Sequence, residues 1–495
     1  MIKKLLFVSL LLNSLFSFSQ NIVKEFDLKL NNKRDFFQIV NEDKKEVILF
    51  LNDKEKVTSF RFDEKFNIQD SLTSSRPEKK YIEIIGYHKN INDYFVFWGS
   101  KDRKEINSQY FNFATKETKT ILINLELKKE RLIKAITINN KFYLITIVKN
   151  MNILKFYVSD ENGNLNEKIV DLSNLKSANN SDQNVNLHNI LLEESKDQSM
   201  EIIHNDSPPS LALSSKKFKI YTYKSDEIIF TSDYNTDLTT ILKINLNDFS
   251  ANLKSIEQPK MNQQQFDSNI TNSNSFLIDD KILQIKIDFT ALILTISDQN
   301  GNKINQYQTL REEEISYKNS DVFQETGSIH NRRVLEKPKQ FIRKMNNSNP
   351  GISCYKLNGL YYTVIGSCQD IAQNGSMAIG QGFGVGMGTG FGGSLSFGFT
   401  PNYTITNLIS YQDKKVVYTN CLFDSNFNHL TDKITISAFE RARIFVEVSE
   451  EIKEASPIFS KSRYKDLIIF KFNKDLYIGN YNDYKKKYQF FRFTE

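Results

Sequence analysis

The side chains of this 495-residue chain that could carry metal or acid–base chemistry are thinly spread. Its five histidines, His88, His188, His204, His330 and His429, fall in no His-x-x-x-His or His-Glu-x-x-His pattern, so no helical face offers two imidazoles to a zinc ion. His429 stands beside an Asp-led turn and reads as a solvated loop residue. No Gly-x-Ser-x-Gly elbow is present, which leaves a serine nucleophile without its usual strand–turn–helix setting. Cys354, Cys368 and Cys421 lie beside apolar strand sequence, and no histidine is spaced to generate a thiolate. The run Glu312-Glu313-Glu314 reads as a solvated face, and a glycosidase pair drawn from separate repeats leaves no mark in spacing. Asp160-Glu161-Asn162-Gly163-Asn164 has the acids of a calcium loop, but its Gly is at position 4, where an EF-hand needs it at position 6. Residue types and spacing therefore name no catalytic, cofactor-binding or metal-binding residue.

What recurs is a turn. Apolar strand runs end on Asp-x-x-x-Asn at Asp63 and Asn67, Asp160 and Asn164, Asp248 and Asn252, Asp298 and Asn302, and Asp424 and Asn428. An Asp carboxylate can accept backbone amides two residues on, and Gly or Asn tolerates positive φ. These ten residues are expected to be structural, at equivalent places after corresponding strands. Paired strands precede them, as in Val47–Leu51 with Thr58–Phe62 and Phe142–Val148 with Ile153–Val158. Units start near 47, 94, 142, 228, 282, 360 and 467, and the clean spacings of 47, 48 and 54 residues are the size of a four-stranded propeller blade.

The repeats resemble those of secreted bacterial β-propellers in general, over about two-thirds of the chain. The resemblance rests on turns, points to no particular family and implies no functional residue. It implies an all-β chain: a β-propeller of about seven four-stranded antiparallel blades, with two separate β-domains as the alternative. Three insertions break the period. They are an Asn- and Ser-rich stretch near 173–213, a charged stretch near 311–350 with room for one short helix, and a glycine-rich, uncharged stretch near 367–402.

Residues 1–20 read as a secretory signal, with Lys3 and Lys4 before an apolar run from Leu5 to Phe18 and small residues at the cleavage site. The chain is thus expected to be exported, to the periplasm, the cell surface or the medium, with 21–495 as the propeller-like domain. Losing Lys3 and Lys4, and no acid, lowers the formal net charge from +6 to +4. Basic residues alternate with acidic ones, as in Lys101-Asp102-Arg103-Lys104-Glu105, so no phosphate-binding stripe forms and nucleic acid is not an expected partner. No second apolar stretch is long enough for a transmembrane helix. Among the cysteines one must stay unpaired; Asn358-Gly359 reads as a two-residue hairpin turn that sets Cys354 opposite Thr363, and no disulfide pairing is favoured.

Ile371–Gln412 contains no Asp, Glu, Lys, Arg or His, and Gly fills every even position from Gly380 to Gly392. An extended run there would have one bare face and one apolar face carrying Phe383, Val385, Met387 and Phe391, which makes these the candidate partner-contact residues. Self-association through 375–398, or docking to an unknown protein or cell-envelope partner, follows from that reading. With no catalytic motif and no cofactor implied, the expected function is an exported, non-catalytic binding or scaffold protein. The alternatives are an enzyme acting on extracellular polysaccharide or peptide, its acids converging at a propeller channel, and an envelope-associated or self-assembling protein working through the glycine-rich segment.

Overall fold

The computed structural model describes residues 21–30, 36–100, 105–125, 127–173, 200–204, 207–261, 271–371, 403–454, 467–482 and 484–495. The described chain is all-β: seven sheets of four or five strands, formed in chain order from residues 36–75, 81–123, 130–171, 200–257, 272–310, 323–423 and 467–493. Pairing is antiparallel apart from Met200–Ile203 alongside Phe218–Tyr221. Each repeat start read from the sequence falls in a different sheet. The first and seventh sheets belong to one compact unit, residues 1–76 with 436–495, and the second to sixth sheets to another, residues 77–435.

In the first unit the N-terminal strand Asn21–Asp27 pairs with Lys487–Phe493 and completes the seventh sheet. The first and seventh sheets share an aromatic core in which Phe62, Phe66, Phe472, Tyr488 and Phe490 are fully buried. In the second unit consecutive sheets bury their apolar faces against each other. Phe95, Phe97 and Phe142 pack between the second and third sheets, and Phe156, Ile220 and Phe230 between the third and fourth. Burying such rings contributes roughly 2–3 kcal/mol each.

The Asp-led turns are closed by local hydrogen bonds. Asp63, Asp160, Asp298 and Asp424 each accept, through Oδ1, the amides two and four residues on, at 2.7–2.9 Å. Asn67, Asn302 and Asn428 also donate their side-chain amides to the same Asp, and at Asp160 this role passes to Asn166. The fourth residue of each turn is left-handed: Phe66, Gly163, Gly301 and Phe427 have φ of 58°, 79°, 86° and 58°. A phenylalanine accepts that strain because the turn drives its ring into a core, Phe66 lying 4.7 Å from Phe490 and Phe427 stacked at 4.3 Å on Tyr361. At Gly163 the space is already taken: a Cβ would lie 2.5 Å from Phe95 of the second sheet. The fourth sheet departs from the pattern. Asn245 stands where the other turns have Asp, accepting the Asn247 amide at 2.8 Å, and Asp248 accepts that of Ser250 at 2.9 Å. Asn252 lies within the strand Ala251–Glu257.

The described parts of the insertions divide between two sheets: Met200–Ile203 joins the fourth, and the others meet at the sixth. Residues 323–334 supply two of its strands, Phe323–Thr326 pairing with Lys414–Phe423. The short helix α1 (Leu211–Ser214) and the helix α2 (Pro338–Asn346) pack on that sheet, and the helix α3 (Tyr403–Leu408) precedes its strand Lys414–Phe423. Asn407 of α3 ties the Ser207-Pro208-Pro209-Ser210 loop in place, accepting the Ser210 amide at 2.6 Å and donating to the Pro208 carbonyl at 2.8 Å.

Candidate active site

The strand Tyr81–Lys89 is the edge strand of the second sheet that meets the third. Gly86 makes that contact possible: a Cβ there would meet the Phe142 ring at 2.5 Å. The ring instead lies flat against Phe97, centroids 4.3 Å apart and 12° from parallel. Seating Phe142 this way brings its backbone amide to the end of the neighbouring strand Ile153–Ser159, where it donates to Ser159 Oγ at 2.9 Å.

Ser159 Oγ has a second partner. It lies 2.7 Å from His88 Nδ1, and His88 Nε2 lies 2.8 Å from Asn90 Oδ1. The Asn90 carbonyl oxygen can only accept, so Nε2 carries the ring proton and the bare Nδ1 accepts the Ser159 hydroxyl. Asn90 is held in turn by a tight turn, its amide bonding the Asp93 carbonyl at 2.9 Å. Burial pushes the His88 pKa below its usual value; the Asn90 bond opposes this, Lys141 reinforces it, and Asp160 and Glu161 oppose it. His88 is therefore neutral at pH 7 and able to take a proton. A hydroxyl, a neutral imidazole and a group fixing its tautomer are the parts of a nucleophile, its base and the base's orienter.

The three groups open onto a cleft of about 580 Å³, lined also by Lys141, Val158, Asp160, Glu161, Asn166, Glu167 and Lys168. Three carboxylates thus line one cleft, yet two are committed elsewhere. Asp160 accepts the turn amides described above, and Glu167 bonds Lys155 at 2.9 Å. Paired carboxylates for glycoside hydrolysis would both have to be free to trade protons.

Of the residues the sequence singled out, Asp160 and Asn164 border this cleft or its turn, while Asp63, Asp298 and Asp424 serve turns elsewhere. Phe383, Val385, Met387 and Phe391 lie outside the described residues. Cys354, Cys368 and Cys421 are free and buried, and Cys354 faces Thr363 across the Asn358-Gly359 turn. Burial raises the Cys354 and Cys368 thiols to about 12, which leaves them inert. His429 is not simply solvated: its amide bonds the Tyr307 hydroxyl and its Nε2 lies 3.1 Å from Asn319 Oδ1. Among the described residues no group of three His, Cys, Asp or Glu could hold a metal ion. Sequence reading missed Ser159, His88 and Asn90 together, because the serine and the histidine are 71 residues apart and meet only when two sheets stack.

No family model matches the chain, and no curated protein does. Solved structures that share some of its geometry include the Glu150Gln mutant of Synechocystis apocarotenoid oxygenase, 9% identical, with a TM-score of 0.28 over 60% of this chain and 64% of that one. The cobalt-substituted Synechocystis enzyme and an ACO/RPE65 chimera are each 10% identical, with a TM-score of 0.28 over 58% of this chain and 63% of theirs. The chain spans less than two thirds of the length of these structures, and a likeness of this size assigns neither substrate nor residue roles. The cleft itself corrects one expectation: a hydroxyl against a neutral imidazole is the start of a nucleophile and its base, and the non-catalytic binding or scaffold reading is set aside on that geometry.

Proposed function

We propose that the chain is an exported hydrolase, built as a seven-bladed β-propeller, that cleaves an ester or amide in the cleft between its second and third sheets. The observation that carries this reading is the Ser159–His88–Asn90 relay, with spacings of 2.7 and 2.8 Å. In the first step His88 Nδ1 takes the Ser159 proton while Oγ attacks the substrate carbonyl carbon. The leaving alcohol or amine then takes that proton from Nδ1, and an acyl group remains on Ser159. Water, deprotonated by the same Nδ1, releases the acid and restores the serine. The Phe142 amide holds Oγ in place and favours its anionic form, while the polar lining suits a substrate with hydroxyls or peptide groups. The seven sheets and the pairing of the N-terminal strand with the last sheet support the propeller. The sequence of residues 1–20 supports export, and no helix among the described residues is long and apolar enough to cross a membrane.

A fluorophosphonate probe tests the reading. The folded protein should incorporate one equivalent, mapped by mass spectrometry to Ser159, with none in Ser159→Ala and about 100-fold slower labelling in His88→Gln. Folded protein that takes up no probe, or takes it up on another residue, would overturn the proposal.

A further inference from the structure

Two groups of cations lie apart from the cleft, and they differ in how their charge is met. At the seam between the fourth and fifth sheets Lys219 is wholly buried, and its ammonium donates to Asp233 Oδ2 at 3.1 Å and to Asn274 Oδ1 at 3.2 Å. Asp233, also wholly buried, further accepts the Thr239 hydroxyl, the Gln258 amide, and both the amide and hydroxyl of Ser275. That network is closed.

The second group is open. It gathers on one face of the sixth sheet, at the C-terminal end of α2. Phe341, Ile342 and Met345 of α2 share a core with Val417. Val417 pairs with Ser367 on one side and Gln324 on the other, and Gln324 pairs with Arg333. The Lys344 carbonyl accepts the Ser367 hydroxyl at 3.4 Å, which sets the last turn of the helix at this level. From the other side the buried Gln324 side-chain oxygen accepts the Arg333 guanidinium at 3.2 Å. Side chains alternate along a strand, so Lys415, two residues before Val417, stands on the same face. It pairs there with Gln369, whose side-chain oxygen accepts the Ser348 hydroxyl, just beyond α2, at 3.5 Å.

Arg333, Arg343, Lys344 and Lys415 thus come together from two strands and a helix. Arg333 and Arg343 are exposed, and Lys344 and Lys415 are half-buried. None of the four forms an ion pair among the described residues. Two acids of the same strands lie on the opposite face, where Glu325 accepts the Tyr418 hydroxyl at 2.8 Å and Asp370 pairs with Lys414. Ile371–Gln412, which follows Asp370, contains no acid. Burial, and then the charges of Lys415, Arg333 and Arg343, hold the Lys344 ammonium below its usual value. A helix C-terminus favours cations in its last turn, which accounts for Arg343 and Lys344 but not for Lys415 or Arg333.

We propose that this face of the sixth sheet binds a tetrahedral dianion, a phosphate or sulfate group, through Arg333, Arg343, Lys344 and Lys415. Guanidinium forks and ammoniums supply donors from several directions, which suits three or four charged oxygens better than the two of a planar carboxylate. The site is independent of the cleft chemistry.

Equilibrium dialysis of the folded chain with radiolabelled sulfate, at ionic strength held constant with sodium chloride, tests this. One equivalent should bind, and unlabelled phosphate should displace it. Lys415→Gln and Arg333→Gln should each weaken binding at least about tenfold. Lys260→Gln, the same change of charge at an exposed lysine elsewhere, should leave it unaltered. If either site variant fails to fold, Arg343→Gln, at an exposed position, gives the same reading. Dextran sulfate against neutral dextran separates the sources: binding at least about tenfold tighter per sulfate than the free ion, lost in the same variants, places the group on a polymer, and equal affinity assigns the site to the free ion. Sulfate that is retained no better than chloride, or site variants that bind as the unaltered protein does, would overturn the proposal.

Discussion

The seam between the second and third sheets and that between the fourth and fifth both place polar side chains where the rest of the molecule stacks isoleucine and phenylalanine. They balance those groups in opposite ways. Around Asp233 the cost of burying charge is met by closure: one carboxylate takes five donors from residues on two sheets. Around His88 no buried charge has to be compensated, because the ring is neutral, and its three-membered relay lies along an open cleft. A saturated network has nothing left to offer a substrate, whereas a neutral base beside a hydroxyl does.

Breaking the closed seam should have the largest effect on stability. Asp233→Ala would strand the Lys219 ammonium in the interior and take the acceptor from the Thr239 and Ser275 hydroxyl protons, costing about 4 kcal/mol in urea unfolding. The matching change at the open seam should behave differently. Ser159→Ala removes one bond each from Phe142 and His88, an expected loss of about 1–2 kcal/mol, while abolishing fluorophosphonate labelling. If the two substitutions destabilise equally, the cleft is a structural pin like its counterpart.

Gly86→Ala sharpens the contrast from the packing side. Its new Cβ would displace the Phe142 ring, and overpacking of this kind costs about 1–3 kcal/mol. Because the Phe142 amide moves with its ring, probe labelling of Ser159 should fall further than the loss of stability explains. A variant that is destabilised but labels normally would separate the glycine from the site.

Much of the sheet order was legible because strands and Asx turns are local devices. Alternation of apolar residues and an Asp two residues before an amide both act within ten residues, so Asp63, Asp298 and Asp424 could be found by eye. Asp248 misled for the same reason: Asn245, three residues earlier, can accept the same kind of amide and took the place. The Asn358-Gly359 hairpin put Cys354 opposite Thr363 with no long-range information. Ser159 and His88 left no such trace, because their pairing depends on how two sheets stack, and Gly86 and Phe142 control that stacking through volume rather than motif. The Lys219–Asp233 pair is hidden likewise: its donors come from both the fourth and the fifth sheets.

Acid should distinguish the two seams as well. The His88 pKa is lowered in the folded chain, so between its folded value and about 6.5 the unfolded chain binds more protons. The stability contributed by the neutral ring is then complete above about pH 6.5 and is lost as pH falls toward the folded pKa. His88→Gln should flatten that part of the melting-temperature profile, and labelling of Ser159 in the unaltered protein should decline over the same acid limb. A profile unchanged by the substitution would place the titration elsewhere.

The smallest expected effect is also the most local. Asp160 supports the turn at one end of the cleft through the Asn162 and Asn164 amides, and its carboxylate favours the protonated form of His88. Asp160→Ala should cost only about 1 kcal/mol, as for the loss of one exposed turn. Removing a nearby negative charge makes the imidazolium harder to form, so the His88 pKa should drop further and the acid limb of Ser159 labelling should move to lower pH. Asp424→Ala, the same substitution in the turn that ends the sixth sheet, should cost about as much stability and leave that limb where it was. The comparison separates the two duties of Asp160: equal melting shifts with a displaced limb in only one variant would tie the carboxylate to the cleft, and identical pH profiles would confine it to its turn.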